Sequence, residues 1–402
     1  MQRRIIQITK AFFAVLLILL VLLLAASAIP NQWLEKRQSE ALEVLDLEGW
    51  HPQPFFDSIA AEQDNYTDII IMEQTLNAEE DSVFESAMHP SYARYWHGYC
   101  VFLRPLLTVF SLYQIRYGMM LLFFILFGTT AILIANRIDV PSAIAFTAAN
   151  AMAFLLVVAT SLQYFPTFLI SYLAIIVELL FADRVRKNHL VFFLVVGMMT
   201  SFIDLLTTPL LTLGLPLIVY LLADDETTGA AGRLRSVVSN SALWGIGYGA
   251  MWASKWLIGS LILRENVLKN ASEAMAFRLK GNEDYAGGLL VDRIYAVLIN
   301  AKTMFLAEDK RAAVVLVLVL IILIAVAVWH RTKDVQKRWQ ALAVLAVGVF
   351  PYVWYFVLSN HSLIHTFFTF RAQVVSVFAL LACLGRLTEF RGNKMIREQS
   401  HG

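Results

Sequence analysis

Long apolar runs recur along most of this chain, and they constrain its fold more than any other feature. About ten of these runs are roughly 17 to 25 residues long, enough to cross roughly 30 Å of hydrocarbon as α-helices. They begin near Phe12, Met119, Ala143, Phe168, Leu190, Leu210, Val238, Ala313, Ala341 and Phe367. Because a helix satisfies its own backbone hydrogen bonds in lipid, the sequence predicts an all-α polytopic membrane protein.

The composition agrees with this class. Of the 402 residues, 58% are hydrophobic and 16% are charged, whereas a soluble domain carries about 25% charged residues. The net charge is only +1, and the basic residues are spread over many loops instead of forming one stripe, so we expect membrane lipids and no nucleic acid as partners.

Lysine and arginine residues predict the orientation, because cytoplasmic loops hold an excess of them. Basic residues precede the first run, fill alternate loops and follow the last run, as shown by Arg3, Arg4, Lys10, Arg137, Arg184, Arg186, Lys187, Arg233, Arg235, Arg331, Lys333, Lys337, Arg338, Arg386, Arg391 and Lys394. Both termini of this multi-pass cell-membrane protein are therefore predicted to be cytoplasmic.

The predicted organisation alternates membrane segments with two long outer segments. In order, we expect an anchor helix (residues 1–29), a folded first outer segment with interfacial helices (30–116) and a bundle of about six helices (117–262). These are followed by a second outer segment (263–311), a bundle of about three helices (312–386) and a cytoplasmic tail (387–402). The anchor ends in Ala26-Ser27-Ala28, a pattern typical of signal-peptide cleavage, but its apolar stretch exceeds a signal core of about 7 to 15 residues. We therefore expect the anchor helix to be retained, and its cleavage stays an open alternative.

Two helices are expected within the first outer segment, residues 30–116. Thr67 is expected to cap a short helix with Asp68 in its first turn, and Asp64 precedes it. Between positions 92 and 110, aromatic residues recur at helical spacing, which is typical of a helix at the membrane interface. We expect Pro105 to end or bend that helix. An aromatic belt needs no substrate, so His97 and Arg104 within it are secondary candidates for substrate binding.

Four ionisable residues lie inside the apolar runs, where a charge is costly and usually marks a functional site or a pairing. Asp204, Lys255 and Arg371 are expected near the outer side of the membrane. Glu178 is expected near the inner side, with Arg184 as its neighbour.

An ion pair between Asp204 and Lys255 would explain two of these charges, but it would leave Arg371 and two histidines without partners at the same depth. A surplus of positive groups suits an anionic ligand, since the guanidinium fork matches phosphate. His361 and His365 lie one turn apart on one helix face. No third ligand occurs at a diagnostic spacing, so no metal site is predicted.

The order of these features resembles the GT-C class of integral membrane glycosyltransferases, and a bacterial member is implied. An inner amino terminus, one span, a long acidic first outer segment and a bundle of short-looped spans are the shared features. In that class a sugar moves from a polyprenyl-phosphate carrier, and a carboxylate of the first outer loop is the general base. The resemblance implies Asp68 as the base, with Asp64 as the alternative, and it implies Lys255, Arg371 and Arg104 as ligands of the carrier phosphate.

The remaining expectations concern the substrate-binding set, cofactors and competing functions. The expected substrate-binding residues also include Asp204, His361, His365 and His97. The acidic residues stand four apart instead of adjacent as is frequent in the class, and we expect no large soluble carboxy-terminal domain of the kind that many members carry. The sequence contains no nucleotide motif. A need for a divalent cation stays open, as does the acceptor, for which a glycan, a lipid and a protein are the alternatives. The competing functions are a transporter or lipid translocase, and a non-catalytic scaffold, which predicts no outer cavity.

Overall fold

A computed structural model describes residues 2–55, 57–78, 81–224, 229–280, 288–305 and 332–388 and the single positions 319, 324 and 328. This part of the chain is helical and contains no β-strand. The prediction of an all-α fold is therefore confirmed for the described residues. The predicted span that begins near Ala313 and nearly all of the predicted cytoplasmic tail lie outside them.

The described part of the chain contains twenty α-helices. Those of the first half are α1 (Gln2–Ser27), α2 (Glu35–Glu48), α3 (Asn65–Glu73), α4 (Val83–Met88), α5 (Cys100–Leu107), α6 (Leu112–Arg137), α7 (Val140–Ala151), α8 (Leu155–Thr160), α9 (Phe165–Leu180) and α10 (Ala182–Lys187). Those of the second half are α11 (His189–Ile203), α12 (Leu210–Leu222), α13 (Ala230–Leu263), α14 (Val267–Leu279), α15 (Leu289–Met304), α16 (Val335–Val347), α17 (Phe350–Val357), α18 (Ser359–Ile364), α19 (Thr366–Thr369) and α20 (Val374–Leu387).

Within the described residues, 4 helical segments are long and apolar enough to cross a membrane, namely Gln2–Ser27, Leu112–Arg137, Val335–Val357 and Thr366–Leu387. Helices α9, α11 and α12 are apolar but shorter. The chain is thus an α-helical protein with helices suited to a membrane. The count of ten spans and the orientation of the termini stay predictions.

Helices α11 and α13 approach each other closely at two glycines. A Cβ atom at Gly197 would lie 2.1 Å from the carbonyl oxygen of Trp244, and one at Gly247 would lie 2.2 Å from that of Leu194. Only glycine fits at both crossings, which is typical of helices whose backbones approach closely in a membrane. This contact fixes the long helix α13 against the bundle, and α13 bears Lys255.

The first outer segment folds onto the bundle, but two of its local predictions are wrong. Helix α3 begins at Asn65 with Asp64 as its N-cap, so Thr67 is not the cap. The cause is the Asp64 carboxylate, whose Oδ1 accepts a hydrogen bond from the Thr67 amide at 3.0 Å. Asp68 lies in the first helical turn, as predicted.

The predicted interfacial helix from position 92 begins only at Cys100. His97 takes a left-handed conformation with φ 54°, and the Gly98 amide donates to the Phe202 carbonyl at 2.8 Å, so the chain makes a turn there instead of a helix. The aromatic residues Tyr95, Trp96 and Tyr99 are buried within the protein. Pro105 lies inside α5, which ends at Leu107.

Candidate functional site

Three carboxylates of the first outer segment, Glu62, Asp64 and Asp68, lie together beside the last apolar segment, and we call them the carboxylate cluster. Asp64 is buried and caps α3, with its Oδ2 accepting from the Thr67 hydroxyl at 2.7 Å. Burial raises the pKa of Asp64, while the hydrogen bonds from Thr67 lower it. Asp64 thus has a structural task that occupies both carboxylate oxygens.

Asp68 is buried and fixes the turn that leads into α9. Its Oδ2 accepts from the Leu162 amide at 3.1 Å and its Oδ1 from the Gln163 amide at 3.0 Å. Burial raises the pKa of Asp68 to about 7, although Arg116 lowers it. The surroundings of Asp68 therefore favour a positioning role over contact with a substrate.

Glu62 is the carboxylate of the cluster whose side chain keeps contact with solvent. Its Oε1 lies 3.3 Å from Nδ1 of His51, and the exposed fractions of the two side chains are 15% for Glu62 and 43% for His51. Burial raises the pKa of Glu62, and His51 and Arg371 lower it. Both residues are absent from the set predicted from the sequence, although Glu62 stands two positions before Asp64 in the same acidic run.

Arg371 ties the last apolar segment to the carboxylate cluster. Its guanidinium donates to the carbonyl oxygens of Ala153, Phe367 and Ala60 at 3.1, 2.7 and 3.1 Å, and it lies 4.3 Å from the ring centroid of Tyr164. The Tyr164 hydroxyl in turn donates to the Glu62 carbonyl. The structure thus brings Arg371 to the acidic segment, but backbone carbonyls occupy all three guanidinium nitrogens.

Lys255 lies in different surroundings. Its Nζ donates to the Met88 carbonyl at 2.8 Å and faces the ring of Trp96 at 5.5 Å. Among the described residues no ion pair joins Asp204 to Lys255; the Asp204 carboxylate instead accepts from the Thr207 amide. The competing interpretation of an Asp204–Lys255 ion pair is therefore wrong.

Arg104 and His97 are also held by the protein itself. Arg104 is buried and donates to the carbonyl oxygens of residues 26, 29 and 75 and to the side-chain oxygens of Asn31 and Asn77. His97 contacts the Tyr99 hydroxyl and the Tyr92 carbonyl. Burial and the charge of Lys255 lower the pKa of His97 to about 3, so this imidazole is neutral at physiological pH.

His361 and His365 lie with their ring centroids 4.9 Å apart. Nε2 of His361 is 3.0 Å from the Leu206 carbonyl, and the ring of His365 stacks on Phe368. Within the described ranges, no three His, Cys, Asp or Glu residues are grouped for a metal ion.

The remaining predicted pairing concerns the inner side of the membrane. There Arg186, not Arg184, is the basic residue that interacts electrostatically with Glu178.

Comparisons of the chain with protein-family models, with curated proteins and with solved structures gave no match.

Proposed function

We propose that this chain is an integral membrane glycosyltransferase that moves a sugar from a polyprenyl-phosphate carrier to an acceptor hydroxyl at the extracytoplasmic face. The observation that supports this proposal is the position of Glu62. It is a carboxylate of the first outer segment that is partly open to solvent, is paired with His51 and interacts electrostatically with Arg371 of the last apolar segment.

Glu62 is the general base in this proposal. A base must come within hydrogen-bond reach of the hydroxyl that it deprotonates, and Glu62 meets this requirement better than the buried Asp64 and Asp68. The acceptor proton passes to the Glu62 carboxylate, the acceptor oxygen forms a bond to the anomeric carbon, and the bond from that carbon to the carrier phosphate breaks. His51 orients the Glu62 carboxylate through their contact at 3.3 Å.

Asp64 and Asp68 position the base. Asp64 starts α3, and Asp68 joins α3 to the turn before α9 through two backbone amides. Together they hold the segment from Glu62 to Asp68 against the bundle. The prediction that Asp68 itself is the base stays open to the same test.

The test is release of polyprenyl phosphate from a polyprenyl-phosphate sugar, measured with purified protein and envelope membranes as the source of acceptor. Glu62→Gln should lower turnover by roughly a hundredfold or more, because it keeps the shape of the side chain and removes its basicity. Glu73→Gln is the matched control, since Glu73 is an exposed carboxylate at the end of α3, and it should leave turnover unchanged.

The set of variants separates the two candidate bases. A large loss in Asp68→Asn with normal activity in Glu62→Gln would move the base to Asp68. Full activity in Glu62→Gln, Asp64→Asn and Asp68→Asn alike would refute the assignment of the reaction to the first outer segment.

One observation favours a non-catalytic scaffold as the second candidate. The buried cations Arg104, Lys255 and Arg371 donate mainly to backbone carbonyls, so they hold segments of the chain together. A scaffold predicts no carrier turnover by the folded wild-type protein under any of these conditions.

A further inference from the structure

The structure contains a large apolar cavity and a small polar crevice at different places in the bundle. The cavity measures about 250 Å³ and lies beside α13, between α13, α14 and α17. Its wall includes Arg94, Tyr248 and Trp252 but is almost wholly apolar. The crevice measures about 30 Å³, and polar and charged residues line it. Of the two, the crevice is therefore the one that can select a ligand by charge.

The crevice lies between the start of α1 and the start of α11. Helix α1 contributes Arg4, Gln7 and Ile8 to its wall, and the junction of α10 and α11 contributes residues 187–191. Two segments from distant parts of the sequence thus form one surface feature. The space has room for about two atoms of the size of a water molecule, which is enough for the charged oxygens of a head group.

The charged groups in the wall of the crevice are positive. Arg4 and Lys187 line it, and both residues are exposed. Among the described residues of the wall there is no carboxylate, and no ion pair within the described ranges involves either cation. The neighbouring Arg186 differs, because its guanidinium lies 3.5 Å from the Asp224 carboxylate. The crevice therefore holds two cations that no acidic side chain neutralises.

Neutral side chains complete the polar part of the wall. The carboxamides of Gln7 and Asn188 line the crevice, and a carboxamide supplies two N–H donors. The ring of His189 also lines it, and Nδ1 of this ring lies 2.5 Å from Oδ1 of Asn240 in α13. This contact fixes one wall of the crevice against the bundle.

Apolar side chains beside the crevice are exposed as well. Helix α1 is one of the helical segments suited to cross a membrane, and Arg4 stands in its first turns. Ile5 and Ile6 next to Arg4 are exposed, and so are Phe13 and Leu17 further along the same helix. A cation at the end of such a helix lies at the level of the lipid head groups, with acyl chains along the apolar residues.

We propose that this crevice binds the head group of an anionic glycerophospholipid with two acyl chains. The phosphodiester oxygens accept hydrogen bonds from Arg4 and Lys187, since bonds between charged groups are the strong ones, and the acyl chains lie along the exposed apolar residues of α1. Basic pockets between membrane helices bind anionic head groups in this way. The inference goes beyond the proposed reaction, because no residue of the crevice belongs to the carboxylate cluster.

Charge decides which lipid the crevice fits. A zwitterionic head group brings a positive group to a wall that already holds two cations, whereas phosphatidylglycerol brings the negative charge of its phosphodiester alone. Inorganic phosphate matches the charge but has no chain for the exposed apolar residues of α1. An acidic protein segment likewise matches the charge and leaves those apolar residues without a partner.

The test measures lipid binding to the purified full chain in nonionic detergent by native mass spectrometry. The probes are phosphatidylglycerol and phosphatidylcholine with the same acyl chains. We expect the wild type to bind phosphatidylglycerol about tenfold more tightly or better. The double variant Arg4→Gln/Lys187→Gln should lose this preference. Arg3→Gln/Arg184→Gln is the matched control, because it removes two exposed charges from the same helices α1 and α10 outside the crevice, and it should keep the preference.

Three results would overturn the proposal. One is equal binding of both lipids by the wild type. The second is an equal loss of preference in both double variants, which would assign it to the net charge at this end of the protein and not to the crevice. The third is complete displacement of phosphatidylglycerol by an equal concentration of inorganic phosphate, which would show that the acyl chains contribute nothing.

Two single variants keep the test decisive if the double variant does not fold. Arg4→Gln and Lys187→Gln should each weaken binding of phosphatidylglycerol severalfold, and unchanged binding in both would refute the site. Glu62→Gln should bind phosphatidylglycerol as the wild type does. Failure of the lipid site and failure of the proposed catalytic step therefore give different results.

Discussion

Two regions of this protein hold positive side chains in different surroundings. In the first outer segment and its contacts with the bundle, Arg104, Lys255 and Arg371 donate to carbonyl oxygens of the chain itself. In the cavity beside α13, by contrast, Arg94 keeps an unpaired Nε next to about 250 Å³ of space. The two regions thus differ in whether oxygen atoms of the chain satisfy the donors of these cations.

The largest expected effect tests whether Arg104 is structural. Arg104→Ala leaves several buried oxygens without a donor, so we expect a loss of about 3 kcal/mol or more in the free energy of unfolding. Arg94→Ala, which removes a cation from the cavity wall, should cost about 1 kcal/mol. Thermal unfolding of both variants in detergent is the measurement, and equal losses would break the distinction between the two regions.

The second prediction uses pH to examine the carboxylate cluster. Burial raises the pKa of Asp68 from 3.8 to about 7, so the folded state holds this proton more tightly than the unfolded chain does. The stabilisation is complete below about pH 4 and is lost as pH rises through about 7, with a slope of at most about 1.4 kcal/mol per pH unit.

The Asp68 proton should therefore contribute about 2 kcal/mol to the difference between the free energies of unfolding at pH 5 and pH 7, and Asp68→Asn, which removes the titrating group, should change that difference by this amount. Glu73→Gln is the control, because Glu73 is exposed, and it should keep the wild-type difference. If the free energies of unfolding at pH 5 and pH 7 differ as much in Asp68→Asn as in the wild type, the Asp68 proton is not the source of that difference.

The smallest effect compares two buried tyrosines. The Tyr355 hydroxyl donates to the Thr369 carbonyl at 2.8 Å, whereas the Tyr248 hydroxyl at the cavity has no partner. Tyr355→Phe should lower the free energy of unfolding by about 1 kcal/mol, and Tyr248→Phe should leave it nearly unchanged. If Tyr248→Phe lowers the free energy of unfolding as much as Tyr355→Phe does, the Tyr248 hydroxyl has a partner that stabilises the fold.

Part of the candidate site could be predicted from the sequence. The acidic run that contains Asp64 and Asp68 is local, and the place of Asp68 in the first turn of a helix follows from helical spacing, although the cap is Asp64 instead of the expected Thr67. Glu62 stands in the same run, but its pairing with His51 joins positions eleven residues apart across an irregular connection. No periodicity predicts such a contact, because loop geometry depends on what the loop packs against.

The sequence by itself determined the all-α class, since apolar runs of this length can satisfy their backbone in lipid only as helices. Only the tertiary structure decided what each buried charge does. Arg371 reaches the Ala60 carbonyl across 311 positions of sequence, and Lys255 reaches that of Met88 across 167. Hydropathy and charge are properties of single residues, whereas the partner of a buried donor depends on which distant segments pack together. The cavity likewise exists only where α13, α14 and α17 meet.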